Sequence, residues 1–340
     1  MSVFSLSQAD REKRLLPQLV DLVSHHRRHC VRYDRILTAA GVGSFSDISA
    51  LPWLPVRLFK TLELKSIPDD EVFKVLTSSG TTGEVSRIYL DKAAAATQTR
   101  QLGATLQTVL GPQRLPMLIV DTKSILKDRR SFSARGAGVL GMATFGRDHM
   151  WALDEDVDGL RSFLVKHGDQ PFLIFGFTYL VWLHLYEIAR EHGLDLGNGI
   201  LIHSGGWKKL VDQAVSPEEF RNRLAAVGLT RIHNFYGMVE QIGTIFLEGP
   251  TGGSLYCPDF ADVVVRDPET WAELPPGKPG LLEVVSTLPT SYPGHVLLTE
   301  DLGVVHGVDD GDWPGKRFSV LGRLPRAEAR GCSDTYRSAA

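Results

Sequence analysis

The chain has 340 residues, 43% hydrophobic and 23% charged, the composition of a folded globular protein with room for one large or two medium domains. Its formal net charge of −3 argues against a nucleic-acid binder that works by bulk electrostatics. Cys30, Cys257 and Cys332 are far apart and without CxxC spacing, which excludes a zinc knuckle or a disulfide framework and fits a reducing compartment. The N-terminal MSVFSLSQADREKR lacks an apolar targeting core. The most apolar run, 171–189, contains His184 and Glu187 and reads as a buried strand followed by a helix, not a membrane span. A cytoplasmic protein is expected.

From about Asp10 to Ala40 the spacing of Leu15, Leu19, Leu22 and Val23 predicts a helix, stopped by Gly41. His25 and His29 have i, i+4 metal-binding spacing. Their basic neighbours Arg27, Arg28 and Arg32, with no carboxylate in phase, point instead to a solvated face that also takes His26. Prolines in Leu51-Pro52-Trp53-Leu54-Pro55-Val56-Arg57-Leu58-Phe59-Lys60 predict an extended, packed segment. A strand from Val72 to Leu76 then leads into Thr77-Ser78-Ser79-Gly80-Thr81-Thr82-Gly83, and Ile88-Tyr89 begin the next strand. Glycines let backbone approach a ligand closely, and hydroxyls and amides donate to phosphate oxygens, so this loop reads as a phosphate clamp or, failing that, a polar hairpin turn. It is not a P-loop, which needs Gly-Lys-Ser/Thr leading into a helix.

Next come an Ala-rich helix from Lys92 to Leu110, a strand from Met117 to Val120, and a glycine-rich stretch, 131–146, read as irregular. Helix Val157–His167, strand Phe172–Phe175, helix Tyr179–His192, strand Gly199–His203, helix Pro217–Val227 and strand Arg231–Phe235 alternate as in an α/β domain with a mainly parallel sheet. Ligands in such sheets sit at the carboxyl ends of strands, where Ser204-Gly205-Gly206 and Tyr236-Gly237 fall. Beyond Gly249, Val263–Val265, Gly280–Val285 and His295–Thr299 are strands between Pro/Gly turns, suggesting a β-rich subdomain that closes into a small distorted barrel. The expected organisation is an α/β core over 1–248, the β-rich subdomain over 249–322, and a hinge and tail over 323–340.

Four further motifs follow the hydroxyl-rich loop in order: Ser204-Gly205-Gly206-Trp207-Lys208, Asn234-Phe235-Tyr236-Gly237-Met238-Val239-Glu240, Leu298-Thr299-Glu300-Asp301-Leu302-Gly303, and Gly322-Arg323-Leu324. Together they resemble the adenylate-forming superfamily, whose members include acyl-CoA synthetases, luciferases and peptide-synthetase adenylation domains. Leu54–Lys60 and the ending Gly322-Arg323 … Glu328-Ala329-Arg330-Gly331-Cys332-Ser333 are similar to the LuxE-type acyl-protein synthetases of bacterial luminescence. The resemblance implies layered, mainly parallel sheets and ATP-dependent activation of a carboxylic acid, with pyrophosphate released and an acyl adenylate formed. It implies that Ser79, Gly80, Thr81, Thr82 and Gly83 hold the β- and γ-phosphates. Tyr236, beside Gly237, packs on adenine against Gly205 and Gly206; Asp301 accepts from the ribose; Arg323 assists near ribose or phosphate; and Glu240 holds Mg2+ through oxygen.

The chain also departs from that pattern. Val85-Ser86 replace the Pro-Lys that often follows the loop, leaving Arg87 as a partial substitute, and Val239 replaces a threonine. Only 17 residues follow Arg323, so a mobile lid of about one hundred residues, with its lysine, is not expected. Arg323, Arg326, Arg330, Lys208 and Lys209 are candidates for the missing charge. Cys332 matches the cysteine that accepts the acyl group in acyl-protein synthetases, and neighbouring Arg326 and Arg330 would lower a thiol pKa. The resemblance implies a fatty acid substrate and an acyl-accepting partner such as an acyl reductase. Two alternatives stay open: an aryl-acid adenylating enzyme without a lid, and a non-catalytic nucleotide- or acyl-binding subunit of a reductase complex.

Overall fold

A computed structural model describes residues 2–41, 43, 45–78, 85–126, 134–207 and 214–324. In chain order it shows α1 (Gln8–His29), α2 (Val31–Ala39), β1 (Leu54–Pro55), α3 (Leu58–Thr61), β2 (Lys74–Thr77), β3 (Arg87–Leu90), α4 (Lys92–Leu110), β4 (Leu115–Val120), α5 (Ala134–Ala143), β5 (Gly146–Trp151), α6 (Val157–His167) and β6 (Phe172–Phe177). Then follow α7 (Thr178–Val181), a π-helical segment Trp182–Tyr186, α8 (Glu187–His192), β7 (Gly199–Ser204), α9 (Pro217–Ala225), β8 (Arg231–Gly237), β9 (Ile245–Glu248), β10 (Leu255–Tyr256), β11 (Ala261–Arg266), β12 (Gly280–Ser286), β13 (Val296–Val308) and β14 (Lys316–Arg323).

The described residues fall into two compact units. One lies within Val109–Phe235 and Pro250–Gly253 and is the α/β part. Its strands run in the order β5-β4-β6-β7-β8, every pairing parallel. Strand β6 is buried at every residue and β4 at all but its first, the continuous apolar run that a parallel sheet covered on both faces requires. The stretch expected to be irregular contains α5, because buried Val139 and Met142 lie three apart and dock one helical face despite the glycines. Phe175-Gly176-Phe177 is strand, and a Cβ on Gly176 would lie 2.8 Å from Val120 Cβ.

The other unit lies within Met1–Thr108, Tyr236–Gly249 and Ser254–Glu328. Helix α1 starts at Ser7, whose hydroxyl accepts from the Asp10 N–H, and buries Leu15, Leu19 and Val23. The single predicted helix is two, because Cys30 adopts extended backbone (φ −125°, ψ 94°) between α1 and α2. His26 is not on a solvated face: it is fully buried, its Nδ1 2.7 Å from Ser66 Oγ and its ring stacked on His295 at 5.0 Å. The His25 and His29 rings lie 4.5 Å apart and tilted by 35°, and no group of metal-ligand side chains gathers among the described residues.

The β-rich segment does not close into a barrel among the described residues. Its strands run β11-β12-β13-β14-β10-β9, antiparallel throughout. The thirteen-residue β13 is long enough to pair with both β12 and β14, with register shifts at Leu302/Gly303 and Val305/Gly307, so the strands spread as an open sheet. Strand β1 adds in parallel to β13, and β2 and β3 form a separate hairpin. Cys30 and Cys257 are buried, and burial pushes both thiols up, as suits inert core cysteines. Among the described residues no helix is long and apolar enough to cross a membrane.

Candidate active site

The hairpin that frames the expected phosphate loop is present on both flanks. Thr77 pairs with Arg87, and Ser78 N–H donates to the Ser86 carbonyl at 3.2 Å. Ser86 N–H donates back to Ser78 Oγ at 2.9 Å. The loop residues Ser79, Gly80, Thr81, Thr82 and Gly83 lie outside the described residues, as do Lys208, Lys209, Arg326, Arg330 and Cys332. Arg87, the expected substitute for the loop lysine, is exposed on β3.

In the β-rich unit three predicted residues meet. Strand β8 ends at Tyr236-Gly237, and the Tyr236 hydroxyl donates to Asp301 Oδ2 at 2.7 Å. Asp301 and Arg323 are direct partners across β13 and β14, and Arg323 Nε donates to Asp301 Oδ1 at 3.1 Å. Asp301 is held from its own backbone as well: its N–H donates to Thr299 Oγ1 at 3.1 Å, and that hydroxyl donates to the Leu282 carbonyl at 2.6 Å. Burial and the Asp301 carboxylate push the Tyr236 phenol well above its ordinary value. The phenol therefore stays a donor at neutral pH and the carboxylate stays fixed. Both carboxylate oxygens keep a lone-pair direction for ligand hydroxyls.

Glu240 belongs to the same unit. It sits in a 3-10 turn, Val239–Gln241, whose Gln241 Nε2 is tied to the carbonyls of Val284 at 3.1 Å and Gly294 at 2.9 Å. Only 7% of Glu240 is exposed, and burial raises its carboxyl above the ordinary carboxylate range. Ser86, Lys60 and Arg323 oppose that shift by favouring the ionised form. The Ser86 hydroxyl is fully buried and lies beside the Glu240 carboxylate. A buried carboxylate with a buried hydroxyl beside it is a donor set of hard oxygens suited to Mg2+, which takes one or two protein carboxylates and completes its shell with water and substrate phosphates. Ser86 was missed from sequence as a site residue, its hydroxyl standing where a lysine was looked for.

In the α/β unit, Gly205 and Gly206 follow β7 as expected and are exposed. Gly205 takes φ +80°, a left-handed conformation that favours glycine. The Gly205 carbonyl accepts from Thr178 Oγ1 at 2.7 Å, which also lies 2.9 Å from His203 Nδ1, so the turn is pinned to the start of α7. At the carboxyl end of β4 a feature not anticipated from sequence appears: Arg135 of α5 and Asp121 form a buried two-point ion pair at 2.7 and 2.5 Å.

Known proteins share this architecture. The family described as acyl-protein synthetase, LuxE, matches residues 2–340. Among curated relatives, a long-chain-fatty-acid–luciferin-component ligase of Vibrio harveyi is 26% identical over 95% of this chain and 87% of its own length. The protein of the same name from Aliivibrio fischeri is 22% identical over 84% and 78%. Among solved structures, a 2-hydroxyisobutyryl-CoA ligase in the postadenylation state with 2-HIB-AMP aligns at TM-score 0.72 and 18% identity, over 95% of this chain and 70% of that one. ATP-bound MatB from Rhodopseudomonas palustris aligns at 0.52 and 18%, over 84% and 52%. The chain has the fold of adenylate-forming acid ligases and belongs to the LuxE family of acyl-protein synthetases.

Proposed function

We propose that the protein activates a fatty acid with ATP, releasing pyrophosphate and forming an acyl adenylate, then passes the acyl group to a thiol and on to a partner protein. The observation that carries this reading is the Tyr236–Asp301–Arg323 arrangement, with buried Glu240 in the same unit. Asp301 accepts from the ribose hydroxyls, held by Tyr236 and Arg323 so that no ordering is needed when nucleotide arrives. The Tyr236 ring packs on the base. Glu240 and Ser86 hold Mg2+, which when bound neutralises phosphate charge and favours departure of pyrophosphate. The 79–83 loop binds the β- and γ-phosphates, Cys332 takes the acyl group, and an acyl reductase receives it. The printed names of the curated relatives support the long-chain fatty acid and the protein acceptor.

Acid-dependent ATP–pyrophosphate exchange tests the reading, run with fatty, aryl and amino acids. Exchange that is fastest with a fatty acid and abolished by Glu240→Ala is the expected result. An aryl acid as best substrate would replace the lipid assignment, and no exchange with any acid despite ATP binding would overturn the enzyme.

A further inference from the structure

The turn that follows β7 in the α/β unit is fixed at its root and bare at its tip. Thr178, the first residue of α7, is buried. Its Oγ1 lies 2.7 Å from the Gly205 carbonyl, 3.2 Å from the Ser204 carbonyl and 2.9 Å from His203 Nδ1. Carbonyls only accept, so the single hydroxyl proton goes to the closer one, that of Gly205. His203 Nδ1 must then carry a proton and donate to Oγ1, which fixes the tautomer of the ring. Burial holds His203 down at about 3, so the imidazole is neutral. The residues on either side of the turn meet one ring: Phe220 of α9 lies 5.0 Å from the His203 ring and 6.2 Å from that of Trp207. Trp182, in the π-helical segment that continues α7, meets Trp207 edge-on at 5.4 Å and stacks on Phe220 at 6.1 Å. Between these anchors Gly205 and Gly206 are exposed, and a Cβ on Gly206 would have no atom within 4 Å. A backbone turn held this firmly at the carboxyl end of a parallel strand, with open space against it, is a preorganised surface for a flat ligand.

We propose that Thr178 is the positioning residue for the adenine ring: its hydroxyl, oriented by His203, holds the Ser204-Gly205-Gly206 turn in the shape on which the base lies. The inference rests on the adenylation reading above, with the base against Gly205 and Gly206. Buried behind the turn, Thr178 acts through the Gly205 carbonyl and takes no part in the chemistry at phosphorus. Its hydroxyl therefore sets the affinity for the adenosine half of ATP, and the pyrophosphate half binds without its help. Without the hydroxyl, the Gly205 carbonyl loses its donor and the left-handed Gly205 (φ +80°) loses its tether. The turn must then be ordered by the arriving base, and that ordering is subtracted from the binding energy.

The test compares wild type, Thr178→Val, Thr178→Ser and Gly206→Ala in binding of adenosine, ATP and pyrophosphate, in fatty-acid-dependent ATP–pyrophosphate exchange, and in thermal melts. Thr178→Val keeps the shape and removes the hydroxyl. It should weaken adenosine and ATP alike by about tenfold and raise KM for ATP by the same factor, with pyrophosphate binding and the exchange kcat within about twofold of wild type. Thr178→Ser keeps the hydroxyl and should restore both affinities to within about twofold. In Gly206→Ala the new methyl enters open space, so the melting temperature should hold while adenosine affinity falls by at least about tenfold. Wild-type adenosine affinity in Thr178→Val, with Gly206→Ala impaired, would overturn the positioning role and leave the base on the turn. Equal loss of adenosine and pyrophosphate binding in Thr178→Val, or a chain that does not fold, would overturn it too, by making Thr178 a residue of the fold. Wild-type adenosine affinity in Gly206→Ala would take the base off the turn and overturn the proposal together with that placement. If wild type itself exchanges with no acid, the adenylation reading fails separately. Thr178 is then judged by binding alone: equal affinity of wild type and Thr178→Val for adenosine would dismiss it.

Discussion

Tyr236→Phe isolates the hydrogen bond that organises the site. The substitution keeps the ring and its contact with Phe246 at 6.1 Å between centroids, and removes only the hydroxyl that donates to Asp301 at 2.7 Å. A bond to a charged acceptor is worth roughly 1.5–3 kcal/mol. The lower end applies, because Asp301 is only partly buried and keeps Arg323 at 3.1 Å on its other oxygen. About 1.5 kcal/mol corresponds to about tenfold. The loss should fall on KM for ATP in the exchange assay, with kcat changed far less, because the bond positions a ribose acceptor and touches no reacting atom. In a cycle with Asp301→Asn the double variant should lose less than the sum of the singles. Since the phenol is pushed well above its ordinary value, the Tyr236→Phe effect should be constant across neutral pH. A KM for ATP within about twofold of wild type would refute the reasoning, as would additivity in the cycle.

Glu240→Gln should separate stability from activity. Burial raises the Glu240 carboxyl, so its contribution to stability is present at low pH and lost as pH rises through the raised value. The neutral amide removes that loss, and near pH 7 the melting temperature should rise while exchange falls by at least about 100-fold. The buried histidines work in the opposite sense: burial holds His295 down at about 3 and His26 well below its ordinary 6.5. The stabilisation from His295 is complete above 6.5 and is lost as pH falls towards 3, at about 1.4 kcal/mol per unit, and His26 adds a loss in the same direction, so denaturant unfolding should weaken steeply towards pH 5. His295→Gln should make that slope shallower by about one proton. Cys332→Ser should leave exchange intact and abolish acylation of the protein by labelled fatty acid.

Much of the fold was legible because its periodicity is strong. The apolar runs of β4, β6 and β7 and the intervening helices fell where strand and helix spacing put them. Composition misled at α5, where glycines suggested irregularity and two buried side chains sufficed to hold a helix. It misled again at Cys30, where no proline or glycine marks the break between α1 and α2. Barrel closure depends on register between distant strands, which a single sequence does not carry. In the candidate site, Tyr236, Asp301 and Arg323 were legible one at a time, as motifs in order. Their mutual bonds were not, because they require β13 to extend thirteen residues and β14 to pair across from it. Ser86 was visible as a letter in a motif, and only its burial beside Glu240 brings it into the candidate site.

The central claim is that the acid attacks the α-phosphorus of ATP. The most direct measurement follows a heavy-oxygen label from the carboxylate of a fatty acid through turnover with ATP and a thiol acceptor. Adenylation predicts AMP and pyrophosphate as products, with one carboxylate oxygen carried into the AMP phosphate. Release of ADP, with the label in inorganic phosphate, would mean attack at the γ-phosphorus and would contradict the account.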